Sequence, residues 1–199
     1  KVVYTLKKGT LTISGKGEMP KKMTFKNNKK VKKVVIKNGV TSVSDKAFYK
    51  CKNLSKVTIG KSVKKIGIDS FNGTKIKKVT IPKKVKEIGQ DAFENCKQLE
   101  NITLPGNYTL KKKKGDDAYA TIMGGSMADT VTFSTSIDLK TVTYVNSNVF
   151  DVSANDKNYT SKLGMIYTKD GKTLVRVSAG TKELSIDEGC ETFALQSIL

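Results

Sequence analysis

Residues 76–98 read IKKVTIPKKVKEIGQDAFENCKQ, and the two stretches before them, VKKVVIKNGVTSVSDKAFYKCKN (31–53) and LSKVTIGKSVKKIGIDSFNGTK (54–75), carry the same pattern. The period is 23, 22 and 23 residues, and a fourth unit opens with LENITLP at Leu99. Each unit begins with an apolar-x-x-apolar-x-apolar signature: Val31, Val34, Ile36; Leu54, Val57, Ile59; Ile76, Val79, Ile81; Leu99, Ile102, Leu104. All twelve positions are apolar in a chain that is 37% hydrophobic. Chance would produce that on the order of once in a hundred thousand trials.

A unit this short cannot bury its apolar side alone, so it must stack on copies of itself as a solenoid. The last two apolar residues of each signature alternate around an outward one, the period of a β-strand, and parallel strands of successive coils should lie about 4.8 Å apart. A second apolar pair follows in each unit (Val40 and Val43, Val63 and Ile66, Val85 and Ile88) and should turn the chain back toward the core. Next come Ala47–Phe48, Ser70–Phe71 and Ala92–Phe93, preceded by Asp45, Asp69 and Asp91. This segment is expected to form one short helical or 3₁₀ turn per coil, with the acidic residue near its N-terminus. The phenylalanines are expected to stack in a column inside.

The pattern IPxxVxxIGxxAFxxCxxLxxV, clearest over Ile81–Ile102, resembles the BspA-like leucine-rich-repeat family of bacterial exported and surface proteins. TLTISGKGEMP (10–20) is similar to the segment that commonly precedes the first repeat of that family, and NDKNYTSKLGMIYTKDGKTLVRVSAG (155–180) to its frequent hairpin insertion. The resemblance implies a β-rich leucine-rich-repeat solenoid, with parallel strands on one face, short helical turns opposite and an inserted β-hairpin near the C-terminus. It also implies a non-enzymatic binding or adhesion module, extracellular or at the bacterial cell surface, whose partner is a surface or extracellular protein.

One repeat domain is expected over 1–199. It divides into a cap-like segment (1–30), regular repeats (31–104), a degenerate repeat with an inserted loop (105–150), the hairpin insertion (151–183) and an incomplete repeat (184–199). Val131–Phe133 and Val142–Tyr144 look like resumed strands. Asp170–Gly171, between the alternating runs Met165–Tyr167 and Thr173–Val177, reads as a hairpin turn. The chain starts at Lys1 with no signal-peptide pattern and stops at Leu199 inside a coil, so it is expected to be part of a longer polypeptide. No apolar run approaches the roughly 18 residues of a membrane-spanning helix.

The chain contains no histidine, which excludes Ser-His, Cys-His and histidine-ligated metal chemistry. Glycine-rich phosphate-binding signatures are absent, and the carboxylates are scattered, Asp116 and Asp117 lying beside four lysines. No enzyme activity and no cofactor are expected. Cys51, Cys96 and Cys190 form an odd set without a CxxC. Cys51 and Cys96 stand two coils apart, about 10 Å, beyond the reach of a disulfide, so they read as buried thiols. Cys190 aligns with the core positions Val40 and Val63.

The net charge is +19, and residues 1–115 hold 30 of the 37 basic and 7 of the 18 acidic residues, a local excess of +23 against −4 for the remainder. Only Arg176 is an arginine, which argues against sequence-specific nucleic-acid recognition. Two readings of the lysine excess stay open: a solvated surface, or a face for an anionic polymer.

Candidate binding residues follow from the repeat geometry. Outward strand positions form one column of Lys33, Lys56, Lys78 and Asn101, beside another of Val35, Thr58, Thr80 and Thr103. Neighbouring ammonium groups in such a file repel by up to about 1 kcal/mol in water, which a bound polyanion would relieve. The threonines offer hydroxyls and methyls to a flat partner. Lys111, Lys112, Lys113 and Lys114 form the densest cationic cluster, either a solvated loop or an anion-docking one. The alternatives to a protein partner are therefore an anionic glycan or envelope polymer, and a structural spacer without a ligand.

Overall fold

A computed structural model of the chain describes residues 1–115, 120–124, 126–142, 145–178 and 185–194. In chain order its elements are β1 (Val2–Lys7), β2 (Thr10–Gly15), β3 (Lys33–Ile36), β4 (Ser42–Val43), β5 (Lys56–Ile59), β6 (Lys65–Ile66), β7 (Lys78–Thr80), β8 (Glu87–Gly89), β9 (Asn101–Leu104) and β10 (Thr109–Lys111). After them come β11 (Ala128–Phe133), α1 (Leu139–Val142), β12 (Ser147–Val152), β13 (Tyr159–Lys162), β14 (Met165–Thr168), β15 (Thr173–Arg176) and β16 (Thr192–Phe193).

The repeats wind into a β-solenoid. Each signature supplies one front strand, and its two flanking apolar residues point inward: Val34, Ile36, Ile102 and Leu104 are all buried. The front strands pair in parallel and in register, Val34 with Val57 and Val79 with Ile102. β1 folds back antiparallel on β2 and covers the first coil. The second apolar pair of each unit forms a second parallel sheet, in the order β10-β8-β6-β4. Successive coils approach closely there, because a Cβ at Gly67 or Gly89 would collide with the backbone of the preceding coil, at Ser44–Asp45 and Gly67–Ile68 respectively. The IG dipeptide of the repeat is thus a packing requirement.

The corner that leads to each phenylalanine is not the helical turn expected from the sequence. Lys46, Asp69 and Asp91, two residues before each ring, adopt left-handed backbone with φ of 55°, 52° and 57°, which interrupts any right-handed helix. Alternate corner amides bond to the next coil, while those between them, such as Tyr49 to Lys46 O and Glu94 to Asp91 O, close turns within the coil. Phe48 N–H donates to Ser70 O, Phe71 to Ala92 O and Phe93 to Ile122 O, each at 2.8 Å. The corners therefore make a third inter-coil ladder, and the only α-helix among the described residues is α1.

Behind that ladder the rings form the expected column. Phe48 and Phe71 stack with centroids 5.2 Å apart, and Phe71 and Phe93 at 5.3 Å. Such pairs contribute about 0.5–1.5 kcal/mol beyond their burial. Phe25 extends the column by one ring, 5.9 Å from Phe48, with Tyr4 edge-on against it. It lies one 23-residue period before Phe48, a spacing that could have revealed it from the sequence. At the other end Met123 is buried where the next ring would stand, since Phe93 donates to Ile122 just as Phe71 does to Ala92.

Residues beyond Pro105 resume the coil. β11 pairs in parallel with β9 and β12 with β11. The strand expected at Val142–Tyr144 is displaced: Val142 ends α1, residues 143–144 lie outside the described ones, and the next strand is Ser147–Val152. β14 and β15 form the hairpin read from Asp170–Gly171, with a bulge near Ile166, and β13 adds a third antiparallel strand through a Leu163–Gly164 turn. β16 pairs in parallel with β15. Cys51 and Cys96 are buried free thiols, whereas Cys190 is half-buried beside a small cluster of Met165, Tyr167 and Leu174 rather than in the main core.

Candidate functional site: a break in the front sheet

The front strands do not form one sheet. One sheet has the order β1-β2-β3-β5, the other β12-β11-β9-β7, and no ladder joins β5 to β7. Three features accompany the interruption. The coil that leads into β7 is the 22-residue one, and its missing residue falls between Phe71 and Ile76. Along the entry to the strands, Ser55 N–H donates to Lys32 O and Glu100 to Lys77 O, but among the described residues the Lys77-to-Ser55 member of this series is missing. At the strand exit, Lys37 donates to Ile13 O and Ser134 to Leu104 O, whereas the equivalent position after β7 is Pro82, which has no N–H.

Because Ile81 donates forward to Thr103 O, alternation turns the main-chain groups of Lys78 and Thr80 toward β5, onto the unpaired edge. The opening is a wedge. Across the same two coils β6 pairs with β8, Phe71 stacks on Phe93, and the corner ladder is intact. The core side chains of these front strands are slightly more exposed at the break: Val57 8%, Ile59 9% and Val79 5%, against 0% and 1% for Val34 and Ile36 in the paired coil before them. The resulting cleft has a volume of about 720 Å³ and continues as far as Ser134.

The columns expected on the front strands flank this wedge. Lys33 stands opposite Lys56 and Lys78 opposite Asn101, while Val35 pairs with Thr58 and Thr80 with Thr103. Lys56, Lys78, Thr58 and Thr80, the four beside the break, are exposed; Lys33 and Thr103 are half-buried. Lys78 reaches Glu100 at 3.8 Å. Lys61, Lys83 and Lys84, which sequence reasoning did not single out, also line the cleft and enter no ion pair among the described residues. The short second repeat and Pro82 were the available signals.

The tetralysine lies elsewhere, beside the second sheet. Lys111 pairs with Asp45 at 3.1 Å, and Lys113 with Asp69 at 3.2 Å and Asp91 at 2.6 Å, while Lys112 and Lys114 are exposed. Burial alone works against the Lys113 ammonium, but the hydrogen bonds to Asp91 and Asp69 outweigh it and raise its pKa above the ordinary 10.5. Asp69, Asp91 and Glu94 come close enough to share a cation. Lys113 already supplies that positive charge, and Asn72 bridges Asp69 to Glu94 with its amide.

Most of the chain aligns with solved leucine-rich repeat proteins. A leucine-rich repeat protein from Eubacterium ventriosum ATCC 27560 is 25% identical, with a TM-score of 0.63 over 96% of this chain and 53% of that one. The T. pallidum leucine rich repeat protein TpLRR is 16% identical, with a TM-score of 0.48 over 78% and 80%. A leucine rich cell surface protein from Faecalibacterium prausnitzii A2-165 is 20% identical, with a TM-score of 0.39 over 89% and 60%. The chain spans about half the length of the Eubacterium protein. Curated proteins give no match. Six copies of the BspA type leucine rich repeat match residues 20–155, and the chain belongs to that family.

Proposed function

We propose that the chain is a non-catalytic binding or adhesion module of an exported or cell-surface bacterial protein, and that it recognises a protein partner through its front strand face. Family membership supports the repeat-based binding role. The observation that carries the choice of face is the cleft of about 720 Å³ at the break, where the exposed Thr58 and Thr80 border core side chains that are only 5–9% exposed. Exposed apolar surface rimmed by polar groups is what protein interfaces use.

The test is binding to immobilised extracellular-matrix and bacterial surface proteins, comparing the native chain with a Thr58→Arg, Thr80→Arg double variant. Saturable binding that falls at least about tenfold in the variant supports this reading. Absence of saturable binding at low salt, or an unchanged affinity in the variant, overturns it.

An anionic glycan or envelope polymer is the second reading, favoured by Lys61, Lys83 and Lys84, which enter no ion pair among the described residues, and by Lys33 opposite Lys56. Retention on heparin or teichoic acid that disappears at moderate salt would select it. Lys111 and Lys113 support it less, being committed to carboxylates of the chain itself.

A further inference from the structure

We propose that the lead-in edge of the solenoid, where the chain passes from each corner into its front strand, binds a flexible linear polyanion whose charges sit on phosphate linkages. This edge is separate from the front face, so the inference goes beyond the protein-binding reading and does not depend on it. Three observations carry it.

The first is a file of free cations. Lys29 and Lys30, Lys52, Lys75 and Lys97 occupy the lead-in segments of four successive coils, and Lys8 precedes them in the turn between β1 and β2. Main-chain acceptors hold these segments side by side: Lys32 N–H donates to Gly9 O, Asn53 Nδ2 to Lys29 O, Ser55 N–H to Lys32 O and Lys75 N–H to Leu54 O, at 2.8 to 3.1 Å. All six lysines are exposed and enter no ion pair among the described residues. Three coil steps of about 4.8 Å make a file about 14 Å long, more than a single phosphate can touch.

The second is where the carboxylates stand. Residues 1–115 hold seven of them. Glu18, Asp45 and Glu87 border a groove on the second sheet, and Asp69, Asp91 and Glu94 cluster at the corners. Glu100 is the one left at a lead-in, and Lys77 and Lys78 share it. The chain therefore neutralises its own lysines at the second sheet and corners, as with Lys111 and Lys113, and leaves the lead-in edge uncompensated. Like charges held at coil spacing repel, and a polyanion relieves that repulsion while releasing its own counterions.

The third is the chemistry of the surface. Residues 28–32, 51–55, 74–78 and 96–100 contain neither an arginine nor an aromatic residue. Nucleic-acid bases find no stacking platform and no bidentate fork there, and sugar rings find no flat apolar surface. Affinity comes from charge alone, with lysine acting as a point charge on phosphate. A chain with a charge on every linkage supplies the most charge per length.

The experiment titrates the full chain into end-labelled, long-chain inorganic polyphosphate and reads anisotropy across a salt series. Saturable binding that weakens steeply with salt is expected. A Lys52→Gln, Lys75→Gln, Lys97→Gln variant should bind at least about tenfold more weakly and flatten the log–log salt slope by about 2, three contacts at about 0.7 each. A Lys61→Gln, Lys83→Gln, Lys84→Gln variant of equal charge, altered where the front strands end, should stay within about twofold. At equal charge concentration, single-stranded poly(dT) and heparin should compete no better than polyphosphate.

Equal loss in the two lysine variants, loss confined to the second, an unchanged salt slope in the first, or no saturation at low salt overturns the proposal. Stronger competition by poly(dT) or by heparin would assign the edge to nucleic acid or to a sulfated sugar, and overturns it as well. The Thr58→Arg, Thr80→Arg variant should bind polyphosphate like the native chain, so failure of the front-face reading and failure of this one are told apart.

Discussion

Lys113 donates to Asp91 Oδ2 at 2.6 Å, and its ammonium also reaches Asp69 Oδ1 at 3.2 Å, so one side chain ties the inserted segment to the corners of two successive coils. Asp69 is buried, and without Lys113 it would keep only the longer 4.0 Å contact to Lys46 as a cationic partner. Lys113→Gln should lower stability by about 1–3 kcal/mol in thermal or urea unfolding, while Lys114→Gln at the neighbouring exposed position should change it by less than about 0.5 kcal/mol. Equal effects of the two substitutions would show that the pairing contributes nothing.

The same contact has a pH signature. The Lys113 pKa is raised on folding, so the folded state holds its proton more tightly than the unfolded chain. The stability it contributes is complete below about 10.5 and is lost as pH climbs through the higher folded value. The gap in Tm between the native chain and Lys113→Gln should therefore be widest at neutral pH and shrink above that point. A gap that widens with alkalinity contradicts the sign.

Phe71 sits between Phe48 and Phe93 and is fully buried. Phe71→Ala should cost about 3–5 kcal/mol, the loss for a large ring removed from a packed interior. Phe193, which aligns with Val43 and Ile66 rather than with the ring column, is 51% exposed, so Phe193→Ala should fall within about 0.5 kcal/mol of the native chain. Urea unfolding of both variants checks the contrast, and comparable losses would place the column elsewhere.

Burial raises the pKa of the Cys51 and Cys96 thiols, partly offset by hydrogen bonds, and the thiolate is the reactive form. Cys190 is only half-buried. A chromogenic thiol reagent should consume one equivalent quickly from the native chain and the other two only on unfolding. Three equivalents consumed in a single fast phase would contradict the buried placement.

The regular coils were readable because twelve signature positions and three phenylalanines recur at one period, and each recurrence corresponds to a buried side chain. The corners were misread as helical turns because Asp91 and Ala92 look like a helix start locally, whereas the left-handed backbone at Lys46, Asp69 and Asp91 is imposed by bonding to the next coil. The candidate site was half legible. Thr58, Thr80 and Lys78 lie on the outward face where alternation puts them, but the break beside them coincides with a missing residue and with Pro82. Those are deviations from the repeat, and a search for periodicity averages them away. Lys111 and Lys113 looked like one cationic cluster because their partners are distant in sequence, Asp45 by 66 residues and Asp69 by 44.

β5 and β7 are unpaired in front while the coils remain stacked behind. Residue-resolved amide exchange of the free protein measures this directly. Lys33 N–H is bonded to Gly9 O, and the equivalent Lys78 faces the open edge. Lys78 and Thr80 should exchange orders of magnitude faster than Lys33 and Val35, with Phe71 and Phe93 amides as slow as the core. Equal protection of Lys78 and Lys33 would mean a continuous front sheet and no wedge.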